Sequence, residues 1–119
     1  MLYNVDGQLI KDIPHHEDYK RWRSRLSDSE YEAIVRTLND RIDGDKVHTA
    51  GWIPGSDWEG TPFYPIYEKA CLKDEVAAGF CFGLIMWVVM MERPDAWSFG
   101  RYEIDGLPIQ SLTYFKVEI

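Results

Sequence analysis

The stretch Val76–Met91, VAAGFCFGLIMWVVMM, decides the fold of this chain because it contains no charged, amide or hydroxyl side chain. Asp74 and Glu75 precede it, where acidic groups suit the positive end of a helix dipole. Pro94 follows it and disfavours helical geometry in the residue before it. We therefore predict an α-helix of roughly 24 Å, since each helical residue rises by ~1.5 Å.

Three environments compete for this helix. A membrane-spanning helix needs about 17–25 apolar residues, and the run is slightly too short for one. A helix on a protein surface shows a polar stripe, and no side of this helix is polar. The prediction is therefore a central helix buried on every side, either by the rest of the chain or by a second subunit, with no membrane involved.

Two glycines on this helix raise the question of an interface. Gly79 and Gly83 are four residues apart and lie on one face, which Met86 and Met90 extend. Each glycine costs about 1 kcal/mol of helix stability relative to alanine, which favours a close approach by another group. That group is either an aromatic side chain of the same subunit or, in a homodimer, the partner across an interface formed by Gly79, Gly83, Met86 and Met90.

Composition limits the class of protein. We treat residues 1–119 as one α+β domain, and its hydrophobic content of 45% excludes disorder. The net charge of −7 argues against a nucleic-acid partner, because that affinity depends on neutralising phosphates. The same charge allows a basic protein partner or a small ligand. Cys71 and Cys81 are expected to be free buried thiols, which fits a reducing compartment. Without a basic segment leading into an apolar one at the start, we expect a cytoplasmic location.

Turn and capping signals predict the remaining elements. Asp6-Gly7 indicates a hairpin with a type I′ turn between Leu2–Val5 and Gln8–Ile13, and Asp105-Gly106 indicates a second one. Ser27 and Glu30 fit a capping box for a helix that Gly44 would end in a left-handed conformation. Further segments are helices at 15–26 and from 61 or 64 to about 72, and strands at 46–50, 97–104, 107–109 and 112–119.

These elements predict the architecture: a small antiparallel sheet of hairpins packed on a central buried helix, with flanking helices. The last strand has two faces. The face with Thr113, Phe115, Val117 and Ile119 is the more apolar one, so we expect it to meet the central helix.

The loop 51–60, GWIPGSDWEG, is the predicted site. Trp52 and Trp58 are unusual on a loop, because exposing so much apolar area is unfavourable. They either cover the central helix as a structural lid or line a concave surface. His48, Asp57 and Glu59 are close in sequence and would give such a pocket a polar mouth. The predicted binding residues are therefore His48, Trp52, Asp57, Trp58 and Glu59.

Two functional classes remain. The first is a non-enzymatic binding or interaction module, expected to be a homodimer, with this loop as its contact site. The second is a small enzyme in which His48 acts as base and Asp57 or Glu59 as acid or orienting group; a Cys71–His48 nucleophile is a weaker variant. The chain has no glycine-rich phosphate loop, HExxH or paired CxxC motif. We therefore predict no cofactor, no metal and no assigned catalytic residue.

The block of residues 48–67 includes IPGSDW and overlaps TPFYPIYEKA, and the segments WSFGRYEIDG and LTYF follow later in the chain. In these segments the sequence resembles a group of small uncharacterised proteins encoded by bacterial integron gene cassettes. The resemblance covers roughly the last three-fifths of the chain. It implies a mobile, accessory, cytosolic protein with an α+β domain. It implies no chemistry and supplies no catalytic residue.

Overall fold

This computed structural model describes residues 1–50, 53, 57–100, 109 and 112–118. The helices among them are α1 (His16–Ser24), α2 (Asp28–Asp43) and α3 (Glu75–Glu92), with a π-helical turn at Ile66–Ala70. The strands are β1 (Leu2–Tyr3), β2 (Val47–Thr49), β3 (Trp97–Gly100) and β4 (Thr113–Lys116). Helices and a small sheet occur together, so the predicted α+β class is confirmed. The second Asp-Gly turn, at 105–106, lies outside the described residues.

The predicted central helix is α3. The Asp74 carboxylate caps its N-terminus by accepting hydrogen bonds from the backbone N–H groups of Val76 and Ala77, at 3.0 and 3.1 Å. Arg93 leaves the helix in extended geometry before Pro94 (φ −67°, ψ 145°). Every residue at positions 81–90 is buried within this single chain. The prediction of a helix covered on all sides is confirmed for this part of α3, whereas its first turn is open to solvent, with Val76 78% exposed.

The covering side chains come from the other helices and from the sheet. By length and mean hydropathy alone, α3 also resembles a membrane-spanning helix, but 61% of it is buried inside the fold. Such burial is typical of a core helix. The residues that enclose it include Trp22 within α1 and Leu26 after it, Ile34, Leu38 and Ile42 of α2, Phe63 and Ile66 before α3, and Leu2, Trp97 and Tyr114 of the sheet.

The sheet is mixed, with the strand order β1-β3-β4-β2. β3 pairs with β4, and β4 with β2, in antiparallel fashion. β1 runs parallel to β3 instead, with Leu2 opposite Trp97. The sheet is thus small, as predicted, but the prediction that it is antiparallel throughout is wrong, because its first strand pairs with β3 in parallel across most of the chain. Residues 8–13 form no strand beyond one isolated bridge between Tyr3 and Leu9, because the chain leaves the sheet after the turn.

The first turn lies where Asp6-Gly7 predicts it, but its geometry differs. Gly7 has a positive φ of 79° and Asp6 does not, so the turn is not type I′. The Asn4 side chain accepts hydrogen bonds from the backbone N–H groups of Asp6 and Gln8, at 3.0 and 2.9 Å. This side chain stabilises a turn that needs only one left-handed residue.

The predicted inner face of the last strand is wrong. Tyr114 is fully buried and Leu112 nearly so, whereas Phe115 is only half-buried. Tyr114 lies opposite Phe99 in the register, and the Phe99 ring contacts Trp87 of α3 at 5.0 Å between centroids. The register therefore turns the Tyr114 side of the strand toward α3, although the opposite side carries more apolar residues.

α2 begins with the predicted capping box. The Ser27 hydroxyl accepts from the Glu30 backbone N–H at 3.1 Å, and the Glu30 carboxylate accepts from the Ser27 backbone N–H at 2.9 Å. The C-terminal prediction is wrong, since Gly44 has a right-handed conformation with φ −76°. Its N–H still bonds to the last turn of the helix, at the carbonyl of Arg41, so no left-handed residue is required.

Replacing Ser27 by alanine should lower the free energy of unfolding by about 1 kcal/mol, because the Glu30 N–H loses its acceptor. Urea denaturation of the wild type and of Ser27→Ala measures this difference. Ser27→Asn is the matched control, since its side chain can still cap the helix, and it should lie close to the wild type. Coincident transitions for Ser27→Ala and the wild type would contradict the assigned cap.

Candidate functional site

A cleft of about 470 Å³ opens beside the start of α3. Its walls come from the loop after residue 56, the helical segment that contains the π turn, and the first turns of α3. We call it the Trp58 cleft and define it by its described lining residues: Asp57, Trp58, Glu59, Tyr64, Tyr67, Glu75 and Ala78. Its volume lies in the range of about 300–1,000 Å³ that is common for small-molecule sites.

Local hydrogen bonds fix the loop wall of the cleft. The Asp57 carboxylate accepts from the Glu59 backbone N–H at 3.0 Å. Thr61 donates twice to the Trp58 carbonyl, from its backbone N–H at 3.0 Å and from its hydroxyl at 2.7 Å. Gly60 supplies a positive φ of 76° at the bend. Asp, Thr and Gly are residues that make such turns with their own side chains or backbone, so the sequence itself sets the position of Trp58.

The indole of Trp58 is held from behind by the hydrophobic core. Its ring centroid lies 5.8 Å from that of Phe82 on α3 and 6.4 Å from that of Phe63. Phe63 and Phe82 meet edge to face at 5.3 Å, a favourable aromatic geometry. Trp58 is therefore both a lid over α3 and a wall of the cleft, which unites the two roles predicted for it.

A π-helical turn forms the second wall. Cys71 N–H bonds to the Ile66 carbonyl at 3.0 Å, five residues back, and such wide turns recur at functional sites. The rings of Tyr64 and Tyr67 lie 5.9 Å apart on this segment. Leu72 and Lys73 then adopt positive φ values and reverse the chain into α3, which places Glu75 at the cleft.

The cleft is acidic. The carboxylates of Asp57, Glu59 and Glu75 line it, and none of its described lining residues is basic. None of the three carboxylates forms a salt bridge with another described residue, whereas Glu30 of α2 pairs with Lys69 at 2.6 Å. The cleft thus concentrates negative charge that the described part of the chain leaves uncompensated.

Three of the predicted binding residues, Asp57, Trp58 and Glu59, come together in the cleft. His48 does not line it. The His48 ring faces Trp97, with centroids 5.8 Å apart, and its Nε2 lies 2.9 Å from the Ile42 carbonyl oxygen and 3.1 Å from that of Asp45. The predicted acid–base pair of His48 with Asp57 or Glu59 is therefore not assembled there. Trp52 lies outside the described residues.

The predicted interface face is wrong in most of its members. Met86 and Met90 are fully buried inside one subunit, and Gly83 is buried as well. They cannot contact a second subunit, because the chain's own side chains already cover them. Gly79 is half-buried, and a Cβ added there would meet no described atom within 4 Å, so no close approach by a described residue explains this glycine.

The two thiols form a buried pair rather than a reactive centre. Cys71 and Cys81 are free and at most 4% exposed. The hydrogen bond between the two thiols, together with burial, raises the pKa of Cys81, and the same hydrogen bond lowers the pKa of Cys71. Burial shields both thiols from solvent, and the predicted Cys71–His48 pair is not formed, since His48 Nε2 lies within hydrogen-bond distance of two backbone carbonyls. The described residues contain no group of three side chains that could hold a metal ion.

Three arginines in and just after α1 are paired within the chain. Arg21 contacts Asp18 at 2.8 Å, Arg23 contacts Asp28 at 2.9 Å, and Arg25 donates to the Ala70 carbonyl at 2.7 Å. Their partners supply the acceptors that an acidic ligand would otherwise provide. We interpret this surface as structural.

Comparisons with family models, curated proteins and solved structures found no match. The resemblance to integron-cassette proteins therefore stays a prediction. Sequence reasoning missed Tyr64, Tyr67 and Glu75 as members of the site. The spacing of the two tyrosines, three residues apart after a helix-starting proline signal, could have indicated a shared face. For Glu75 the sequence indicates only a favourable interaction with the helix dipole.

Proposed function

We propose that this protein is a non-enzymatic binding module and that the Trp58 cleft is its ligand site. One observation carries the proposal: Trp58 stands in the cleft wall with its ring held by Phe63 and Phe82. A rigid aromatic wall binds at low entropic cost, because little freedom is lost on association. Concave sites with aromatic walls and a few convergent polar groups are the usual form of ligand pockets.

The lining residues favour binding over catalysis. No Ser, Thr, Cys, His or Lys is among the described residues of the cleft, so they form no hydroxyl or thiol nucleophile activated by a histidine or lysine base. The side chain assigned as base in the alternative hypothesis, His48, packs on Trp97 at the sheet. We also propose that the protein is encoded by an integron cassette and is located in the cytoplasm. We propose further that it forms a homodimer whose contact does not include Met86 or Met90.

The proposal can be tested by following the indole N–H resonance of Trp58 by NMR, assigned with Trp58→Phe. Three probes of similar shape are titrated: phenethylammonium, phenylpropanoate and phenylethanol. We expect a saturable shift with at least one probe, lost in Tyr67→Leu and kept in Tyr3→Leu, a matched change outside the cleft. No saturable shift with any probe, or a shift that persists in Tyr67→Leu, would contradict the proposed site.

A further inference from the structure

We propose that the ligand of the Trp58 cleft is an organic cation, an alkylammonium or guanidinium group; this inference rests on the proposed binding function. The group could be a free amine or a basic side chain of a peptide. Both present the same chemistry to the cleft.

The negative charge of the cleft favours a cation as the ligand. Asp57, Glu59 and Glu75 converge on one concave surface without a described basic partner. Other carboxylates of this chain, such as those of Asp28 and Glu30, are neutralised by neighbouring basic side chains. Like charges gathered at a concave, low-dielectric surface focus the field outward. A cation entering the cleft is attracted by these carboxylates, whereas an anion is repelled by them.

The aromatic walls of the cleft also favour a cation. The face of a Trp or Tyr ring attracts a cation through its quadrupole. The chain already uses this contact elsewhere, with the Arg23 guanidinium carbon 4.0 Å from the Tyr31 ring centroid and that of Arg41 5.2 Å from Phe63. No described cation lies over Tyr64 or Tyr67. The two tyrosines and the carboxylates thus offer both components of an ammonium site.

Two competing ligand types fit less well. A small metal ion needs several oxygen ligands within about 2.0–2.6 Å, and the described carboxylates form no group close enough to hold one. An anion would find the positive end of the α3 dipole, but Asp74 already caps that end. Glu75 in the first turn adds further negative charge. Spaced carboxylates with aromatic walls match a larger, partly apolar cation.

Calorimetric titration of the whole protein with phenethylammonium tests the inference. The variants are Glu59→Gln and Glu75→Gln, and the matched control is Glu68→Gln, an exposed carboxylate outside the cleft lining. We expect Kd to rise about fivefold in each cleft variant, as for a partly exposed charge contact. Glu68→Gln should leave Kd unchanged, and added salt should weaken binding by the wild type. Thermal unfolding verifies that each variant is folded.

The outcomes separate this inference from the binding proposal. If phenylethanol or phenylpropanoate binds with the same Tyr67 dependence and phenethylammonium does not, the cleft is a binding site and the cation assignment is overturned. If phenethylammonium binds equally to wild type and both cleft variants, the assignment is overturned as well. Failure of all three probes overturns both proposals.

The source of the cation is assigned in the same experiment. The tripeptide Gly-Lys-Gly, blocked at both ends, is compared with butylammonium, which carries the same side-chain group. Tighter binding of the peptide, with the same loss in Glu59→Gln, supports a basic peptide as the ligand. Tighter binding of butylammonium supports a free amine. Lack of binding by both, beside a neutral probe that binds, counts against the cation.

Discussion

Leu84→Gln is expected to lower the free energy of unfolding by about 3–6 kcal/mol. Leu84 lies in the middle of α3 and is 0% exposed. The substitution loses the burial of a leucine side chain, about 2–3 kcal/mol. It also buries an amide without partners, at a further cost of about 1–3 kcal/mol. Since domains of this size are stable by only about 5–15 kcal/mol, this single change should remove a large part of the total.

The matched control is Val76→Gln on the same helix. Val76 is 78% exposed, so this substitution should change the free energy of unfolding by no more than about 0.5 kcal/mol. Glutamine is a good helix former, so helix propensity does not confound the comparison. Urea denaturation at neutral pH measures both variants. Similar losses for Leu84→Gln and Val76→Gln would show that the middle of α3 is not enclosed.

The second large effect is expected for Arg93→Met, a loss of about 2–3 kcal/mol at pH 7. The Arg93 side chain is only 10% exposed. It donates hydrogen bonds to Asn39 at 2.7 Å and to Asp95 at 2.9 Å, joining α2 to the segment after α3. Methionine keeps most of the apolar stem but leaves the Asp95 carboxylate, itself 22% exposed, without that partner.

The Arg93–Asp95 pair also predicts how the free energy of unfolding changes in acid. The hydrogen bond from Arg93 holds the pKa of Asp95 well below its usual range. A carboxyl group with a lowered folded-state pKa stabilises the fold above its unfolded-state pKa of about 4, and this stabilisation is lost as the pH falls below that value. The wild type should therefore lose more stability than Arg93→Met between about pH 5 and pH 2.

The measurement is urea denaturation of both proteins at several pH values in that window. Arg21→Met is the control, because Arg21 pairs with Asp18 where both side chains are largely exposed, at 50% and 39%. Exposed pairs of this kind contribute about 0–1 kcal/mol. Equal acid sensitivity of Arg93→Met and the wild type would contradict the role of the Arg93–Asp95 pair.

The elements that local chemistry determines were predictable. An uninterrupted apolar run with acidic residues before it and a proline after it defines α3. The Ser27–Glu30 capping box specifies the start of α2. Trp58, Asp57 and Glu59 could be assigned to one site because a tight turn places them together.

Several features could not be predicted from the sequence because they depend on pairing between distant segments or on an irregular turn. β1 joins β3 across most of the chain, with Leu2 opposite Trp97, and no local signal specifies that partner. The orientation of His48 follows from its register opposite Tyr114, and a shift of one residue would turn it to the other face. The Tyr64–Tyr67 wall depends on a π turn, which has no simple sequence signature.

The most direct test of the central claim is hydrogen exchange of the α3 amides at two protein concentrations, about 1 µM and about 100 µM. If one chain encloses the helix, the amides of Leu84 to Val89 exchange only through global unfolding. Their protection is then the same at both concentrations. Weak protection in the dilute sample that rises in the concentrated one would contradict the account, because a second subunit would then supply the cover.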